Sequence, residues 1–316
     1  MIVTFTANPS LDRTVELPSA LRRGEVQRAT AVRREPGGKG VNVSRALAAS
    51  GLAAIAVLPG DDDDPVVTGL RGEGINYLNL PVGQALRSNI ALTEPDGTTT
   101  KVNEPGPTLS PQQQDQLLAA LLEHARGAAW LVLAGSLPPG VPDDFYARVT
   151  GEIRERLGAQ APRIAVDSSG APLRAAVAGE AGPDLLKPNA EELAELTGIG
   201  DGDGLEADPV LAAKAAHTLV SRGVGAVLAT LGSKGAILAT AAGSWHATHA
   251  PITARSTVGA GDSALAGYLL AHTAGSAPSD CLRQAVAHGA AAASLPGSTV
   301  PTVDQTSPNA VTVAAL

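Results

Sequence analysis

Short β-rich apolar runs alternate along this chain with longer Ala- and Leu-rich stretches of helical character. Ile2–Phe5, Ala54–Leu58, Trp130–Ala134, Ile164–Asp167, Leu185–Lys187 and Ala226–Thr230 read as buried strands. Val41–Ser50, Gln112–Ala125, Asp143–Leu157, Glu191–Thr197, Ala212–Arg222 and Ser263–His272 read as helices. Ser110 followed by Pro111 is a helix-start signal, a side-chain cap and then a residue with no amide to waste. Buried strands alternating with helices predict an α/β fold, a mainly parallel, doubly wound sheet with helices on both faces.

Two segments, Asp12–Glu35 and Ser88–Asn103, break this rhythm. Charges and threonines fall at alternate positions there, which predicts hairpins outside the main sheet, a small β lid on a single domain spanning residues 1–316. In open α/β sheets ligands sit at the carboxyl ends of the strands. The loops Ala134–Gly140, Asp167–Gly170, Lys187–Glu192 and Thr230–Gly235 are predicted to converge at that edge.

Composition narrows the picture. With 44% hydrophobic and 17% charged residues the chain is ordered and globular. Aromatics are only 2%, so the core must be built from Ala, Val, Leu and Ile. A net charge of -8 argues against a nucleic-acid partner, and any anion must be held by local cations. The single cysteine, Cys281, cannot form an internal disulfide, which fits a reducing, cytoplasmic location. The apolar run Ala128–Ala134 is too short to span a bilayer, and Met1–Asn8 lacks the build of a signal peptide, so no membrane partner is expected.

Four motifs carry chemistry. Ser256-Thr-Val-Gly-Ala-Gly-Asp-Ser263 precedes a helix, where Gly259 and Gly261 permit close backbone approach and free N–H groups can hold phosphate oxygens. Asp262 among those donors is a cap, or a carboxylate that takes a proton from an attacking hydroxyl. Pro36-Gly-Gly-Lys-Gly-Val-Asn42 also opens a helix, but is neither a Walker A loop nor a dinucleotide fingerprint. In Lys187-Pro-Asn-Ala-Glu-Glu192, Asn189 and Glu192 share one side of a first helical turn. That spacing fits a hydrated Mg²⁺ and equally a capping box. Thr230-Leu-Gly-Ser-Lys-Gly235 follows a strand and could carry nucleotide phosphates. Other tempting features carry less. The acidic run Asp61–Asp64 reads as a solvated loop, Asp201–Gly204 lacks the full calcium-loop pattern, His246 and His249 lie on a surface strand, and Cys281 packs in a helix.

Together these segments resemble the phosphofructokinase-B (ribokinase-like) family of sugar kinases, in the family's order over nearly the whole chain. Thr6-Ala-Asn-Pro-Ser-Leu-Asp12, Pro36–Asn42, Gly135-Ser-Leu-Pro-Pro-Gly140, Asp167-Ser-Ser-Gly170, Lys187–Glu192 and Ser256–Ser263 carry the resemblance. Gly-Gly-Lys-Gly and Asn103-Glu-Pro-Gly-Pro107 resemble the branch containing 1-phosphofructokinase and tagatose-6-phosphate kinase. The resemblance implies an ATP-dependent phosphosugar kinase, with fructose 1-phosphate as the first choice of acceptor and tagatose 6-phosphate or fructose 6-phosphate as alternatives. It implies Asp262 as base, Gly259, Ala260 and Gly261 as the anion hole, and Asn189 and Glu192 organising Mg²⁺ through water. Lys187, Asn189, Thr230, Gly232 and Gly235 would line ATP; Asp12, Gly38 and Asn42 would hold sugar hydroxyls. Lys39, Arg87, Ser136 and Arg28 would surround the substrate phosphate, in a pocket altered by Val26, where some family members carry lysine. A monovalent cation such as K⁺ would sit among the carbonyls of Ser256, Val258 and Gly297, and a homodimer would form through the lid. A non-catalytic sugar or nucleotide sensor on the same fold is the alternative of another class. A nicotinamide-dependent dehydrogenase is disfavoured by the missing fingerprint.

Overall fold

The computed structural model describes residues 1–179 and 182–316. Its main sheet has ten strands: β1 (Ile2–Thr6), β4 (Ala54–Pro59), β5 (Tyr77–Leu80), β8 (Trp130–Ala134), β9 (Arg163–Asp167), β10 (Leu185–Leu186), β11 (Ala226–Thr230), β12 (Ala236–Thr240), β13 (Gly243–His249) and β14 (Val311–Ala315). Their order is β14-β13-β12-β11-β10-β9-β8-β1-β4-β5. From β5 to β11 all neighbours are parallel, and the β12, β13 and β14 pairings are antiparallel. A second sheet, β3-β2-β6-β7, stands apart: β2 (Ser10–Glu16), β3 (Ala31–Gly37), β6 (Arg87–Thr93) and β7 (Thr99–Asn103). It is the predicted lid, built from two hairpins joined by a parallel β2–β6 pairing.

Helices cover both faces of the main sheet. One core gathers Val3, Phe5, Leu131 and Leu133 against α3 (Pro111–Ala125), α4 (Phe145–Leu157), α5 (Gly170–Ala178), α6 (Ala190–Thr197), α7 (Gly202–Ala207) and α8 (Pro209–Ser221). The other packs Ile2, Trp130, Val132 and Leu228 against α1 (Lys39–Ala49), α9 (Ala260–Thr273) and α10 (Pro278–Ala293). A small third cluster lies under α2 (Pro65–Gly72). As expected, Ala, Val, Leu and Ile dominate. Among the aromatic exceptions, Phe5, Phe145 and Tyr146 form one group with ring centroids 6.1–6.5 Å apart, and Trp130 packs edge-on against Tyr268 in the other core. The Tyr146 hydroxyl donates to Ala134 O at 3.2 Å or Gly135 O at 3.0 Å, bracing the carboxyl end of β8 from behind.

Helix starts follow the sequence signals. Ser110 and Gln113 close a capping box on α3, with Pro111 as first residue. The acidic run Asp61–Asp64 is a solvated loop only in part: Asp62 and Asp63 are exposed, whereas Asp64 is buried, caps α2 through Val66 N and accepts from Leu86 N, and Asp61 accepts from Val82 N and Gly83 N. The carboxylates are spread over separate amide donors, which removes the mutual repulsion a shared site would impose. Asp201 likewise caps α7 through Gly204 N. The surface strand read at His246 and His249 is β13, whereas α2, β5, α5, α7, β12 and β14 were passed over because they are short or bounded by Gly and Pro. No described helix is long and apolar enough to cross a membrane.

Candidate active site

The two glycine-rich signatures meet at the carboxyl end of β1. Gly38 has φ 109° and leads into α1. A Cβ on Gly40 would lie 2.5 Å from Thr6 Oγ1 and 2.8 Å from Phe5 O, so only glycine lets the start of α1 press against β1. That contact puts Lys39 and Asn42 on a first helical turn facing α9. Gly259, with φ 74°, turns the chain into α9, whose start has no side-chain cap. Asp262 is buried in that first turn and does not cap it: its Oδ2 accepts from Asn42 Nδ2 at 2.9 Å. Capping is therefore the wrong reading of this aspartate. The initial N–H groups of α9 carry the positive end of the helix dipole toward the same point.

Asp167, at the end of β9 and fully buried, organises the charges. Lys39 Nζ lies 2.6 Å from its Oδ1, and Lys187 Nζ 3.2 Å from its Oδ2. Burial raises the Asp167 carboxyl, but the two lysines outweigh it and hold it below the usual carboxylate range. Burial lowers Lys39, yet Asp167, Asp262 and Glu192 together hold its ammonium above the ordinary lysine value. Asp262 is pushed up to about 6, first by burial and then by the negative charge of Asp167. A Cβ on Gly261 would sit 3.4 Å from Lys187 Nζ, so this lysine reaches the first turn of α9. Lys39 is expected from its motif beside the substrate phosphate; in the structure its ammonium rests on the Asp167 carboxylate.

Asn189 and Glu192 form a reciprocal capping box on α6: Glu192 N donates to Asn189 Oδ1, and Asn189 N to Glu192 Oε2, both at 2.8 Å. One oxygen of Glu192 remains, on a carboxyl that burial raises. The described residues hold no cluster of three or more His, Cys, Asp or Glu fit for a metal. The free Glu192 oxygen is what this pair can offer a hydrated cation. Thr230 pairs with Asn189 in an isolated parallel bridge, joining the two loops beside Lys187. Gly232 and Gly235 have φ 51° and 90° in the β11–β12 turn, and a Cβ on Gly235 would strike Ala247 O. Gly235 is therefore required by packing, whatever the turn binds.

The lid closes the other end. Asp12 Oδ1 accepts from Ser10 Oγ at 2.7 Å and Asn89 Nδ2 at 3.2 Å, and burial raises its carboxyl. Gly37 approaches that carboxylate so closely that a Cβ would overlap it. Arg87 and Ser136 line a cleft of about 510 Å³ together with Asn8 and Ser169. Arg87 Nε donates to Asn8 O at 3.2 Å, and burial lowers the guanidinium. Arg28 is not brought to this cleft: it is exposed in the long 17–30 connection, with no ion pair among the described residues. The segment holding Ser256 and Val258 runs beside the end of α10, through Arg255 N and Ser256 N to Ala293 O, four residues before Gly297.

Sequence reasoning gave Asp167, Asn8 and Asn89 no role. Asp167 and Asn8 stood inside quoted motifs, and the first signal was a lone carboxylate at a strand end facing two lysine motifs. Asn89 left no local signal, since its role arises from the β2–β6 pairing.

The chain belongs to the pfkB family of carbohydrate kinases, whose pattern matches residues 6–305. It is 35% identical over 276 residues to a 1-phosphofructokinase of Xanthomonas campestris, covering 85% of this chain and 83% of that protein. It is also 35% identical over 302 residues to ATP-dependent 6-phosphofructokinase isozyme 2 of Mycobacterium tuberculosis, covering 94% and 85%. The fold matches phosphofructokinase-2 of Escherichia coli, solved in complex with potassium, at a TM-score of 0.86, 30% identity and 96% of each chain.

Proposed function

We propose, on the premise of that family membership, that this chain transfers the γ-phosphoryl group of ATP to a hydroxyl of a phosphorylated ketohexose. Fructose 1-phosphate is the preferred acceptor and fructose 1,6-bisphosphate the product. The observation that carries the reading is Asp262: a buried carboxylate held by Asn42 at the uncapped start of α9, with Lys187 beside Gly261. Asp262 takes the proton of the attacking hydroxyl, and its raised affinity for protons suits that task. The N–H groups at Gly259, Ala260 and Gly261, with Lys187 and Lys39, hold the negative charge of the transferring group.

The donor side is argued from the same edge. ATP lies over the 230–235 turn, with its phosphates directed at Lys187. Mg²⁺, when bound, neutralises phosphate charge, and the remaining Glu192 oxygen holds it through water. The carbonyls of Ser256, Val258 and Gly297 would take a monovalent cation; the 255–256 backbone lies on the end of α10, four residues before Gly297, and the relative solved with potassium supports the reading. On the acceptor side, Asp12, Gly38 and Asn42 orient sugar hydroxyls. Arg87 and Ser136 take the substrate phosphate in the 510 Å³ cleft, away from Asp262.

Fructose 6-phosphate is the second reading, because relatives of equal identity carry both names; tagatose 6-phosphate is a further alternative. A silent sensor is disfavoured by the presence of base, anion hole and both lysines in one constellation. The protein acts in the cytoplasm as a homodimer, joined through the outward face of the lid, where Val32 is 50% and Val102 53% exposed. The test of the chemistry is Asp262→Asn. Turnover should fall ~10²–10⁴-fold or more while ATP affinity stays near that of the parent. Near-parental ADP release would remove Asp262 as the base.

A further inference from the structure

A second buried charge cluster lies outside the residues given a role in phosphoryl transfer. Its centre is Arg45 on α1, 5% exposed and three residues beyond Asn42. Arg45 Nε and one terminal nitrogen hold Glu73, at the end of α2, at 2.7 and 3.1 Å. The other terminal nitrogen donates to Ser298 O at 3.2 Å, and Glu35 Oε1 stands 3.8 Å from the guanidinium. Glu35 Oε2 in turn accepts from Ser298 N at 3.2 Å and from Ser298 Oγ at 2.8 Å. Ser298 is therefore held on two sides, its carbonyl by α1 and its two donors by β3. The fit is close: a Cβ on Gly297 would lie 3.1 Å from Glu35 Oε2 and 3.6 Å from Thr14 Oγ1 on β2.

Glu35 is directly opposite Asp12 in the β2–β3 ladder, and Asn89 is opposite Asp12 on the other side. The three share the face of the lid turned toward the body. Every partner of Glu35 named above belongs to the same chain, so the tie is internal to one subunit, whatever covers the outward face. Two carboxylates opposed across a ladder repel. Burial is the first cause that raises the Asp12 carboxyl, and the Glu35 charge adds to it. The pair is tolerated because each acid has its own donors, Ser10 and Asn89 for Asp12, Ser298 and Arg45 for Glu35. On the ladder alone this glutamate is unfavourable; what it gains is the anchor to the body.

We propose that Glu35 is a positioning residue: its bonds to Ser298 and its charge against Arg45 fix the β2–β3 hairpin on the body and so place Asp12 over the sugar. The inference rests on the assignment of Asp12 to the sugar hydroxyls. Asp12 belongs to the lid, whereas Asn42 and Asp262 belong to the body. A sugar that meets both needs the hairpin at one setting. Hydrogen bonds to a charged group are the strong ones, and losing one partner leaves the other unpaired. The hairpin should therefore loosen when either end of the tie is removed.

Hydrogen exchange of the ligand-free chain and steady-state kinetics test the proposal on Ser298→Ala, Glu35→Gln and the double variant. Ser298→Ala keeps the backbone donor and loses one side-chain bond, so its fold stays intact even if that of Glu35→Gln does not. Amides of β2 and β3 should exchange about tenfold faster in each single variant, with those of β8 and β9 unchanged. The KM for fructose 1-phosphate should rise about tenfold while that for ATP stays within about twofold. The double variant should fall short of the product of the two singles, because both remove one tie. Exchange at parental rates in both singles overturns the anchor. Faster exchange with an unchanged sugar KM overturns the placing of Asp12, and so do equal rises in the sugar and ATP KM values. A parent chain that releases no ADP with any phosphosugar contradicts the kinase reading instead, and the exchange rates then decide the anchor.

Discussion

At the residue scale, the site depends on how four charges share one buried space. Asp167 takes two lysines and stays ionised, and its charge helps to keep Asp262 protonated to higher pH than a free carboxyl. As the proposed base, Asp262 would act in its ionised form. Its carboxyl is pushed up to about 6, so kcat/KM should be level above that pH and fall as pH drops through it. Asp262→Asn should lack this acid limb in whatever activity remains; an unshifted limb in the variant would assign it to another group. Glu192 gives a second test at this scale. Its cap to Asn189 uses one oxygen, and the other is the one proposed to hold hydrated Mg²⁺. Glu192→Gln keeps the cap but loses the charge, so the Mg²⁺ concentration for half-maximal rate should rise several-fold with little change in sugar KM. Overlaid Mg²⁺ titrations would leave the pair as a helix cap alone.

At the element scale, the contacts of the candidate site exist because two helix starts are pressed together against strand ends. Gly40 makes this possible, since a side chain there would meet Thr6 and Phe5 O. Gly40→Ala should therefore cost ~1–3 kcal/mol of stability through overpacking, seen as a lower denaturant midpoint at unchanged slope. A midpoint equal to the parent's would mean the β1–α1 contact has room that the geometry denies. Much of this scale was legible beforehand. The strands Trp130–Ala134 and Ala226–Thr230 matched residue for residue because continuous apolar runs between turn signals leave little choice. The glycine signatures marked the helix starts correctly. What could not be read was which long-range partner each group would choose. Lys39 turns to Asp167, 128 residues away, and Asn42 to Asp262, 220 residues away. Local pattern also missed the acidic run's dispersal, since the amides of Val82, Gly83 and Leu86 reach it only through the fold.

At the scale of the whole molecule, a parallel sheet supplies the chemistry and a detached sheet supplies the cover. The outward face of that cover bears Val32 and Val102, half exposed, without a helix over them. A second copy is the occupant proposed for this face, so sedimentation at micromolar concentration should give the dimer mass. A monomer mass would leave the valines to solvent and remove the pairing. The central claim is the reaction itself, and one comparison tests it most directly: kcat/KM for fructose 1-phosphate, fructose 6-phosphate and tagatose 6-phosphate, with Mg-ATP and ADP release as readout. The account predicts turnover of a phosphorylated ketohexose, with fructose 1-phosphate ahead by at least tenfold, ~1.4 kcal/mol of transition-state discrimination. Preference for a 6-phosphate would overturn the choice of acceptor, and absence of ADP release with all three would contradict the account.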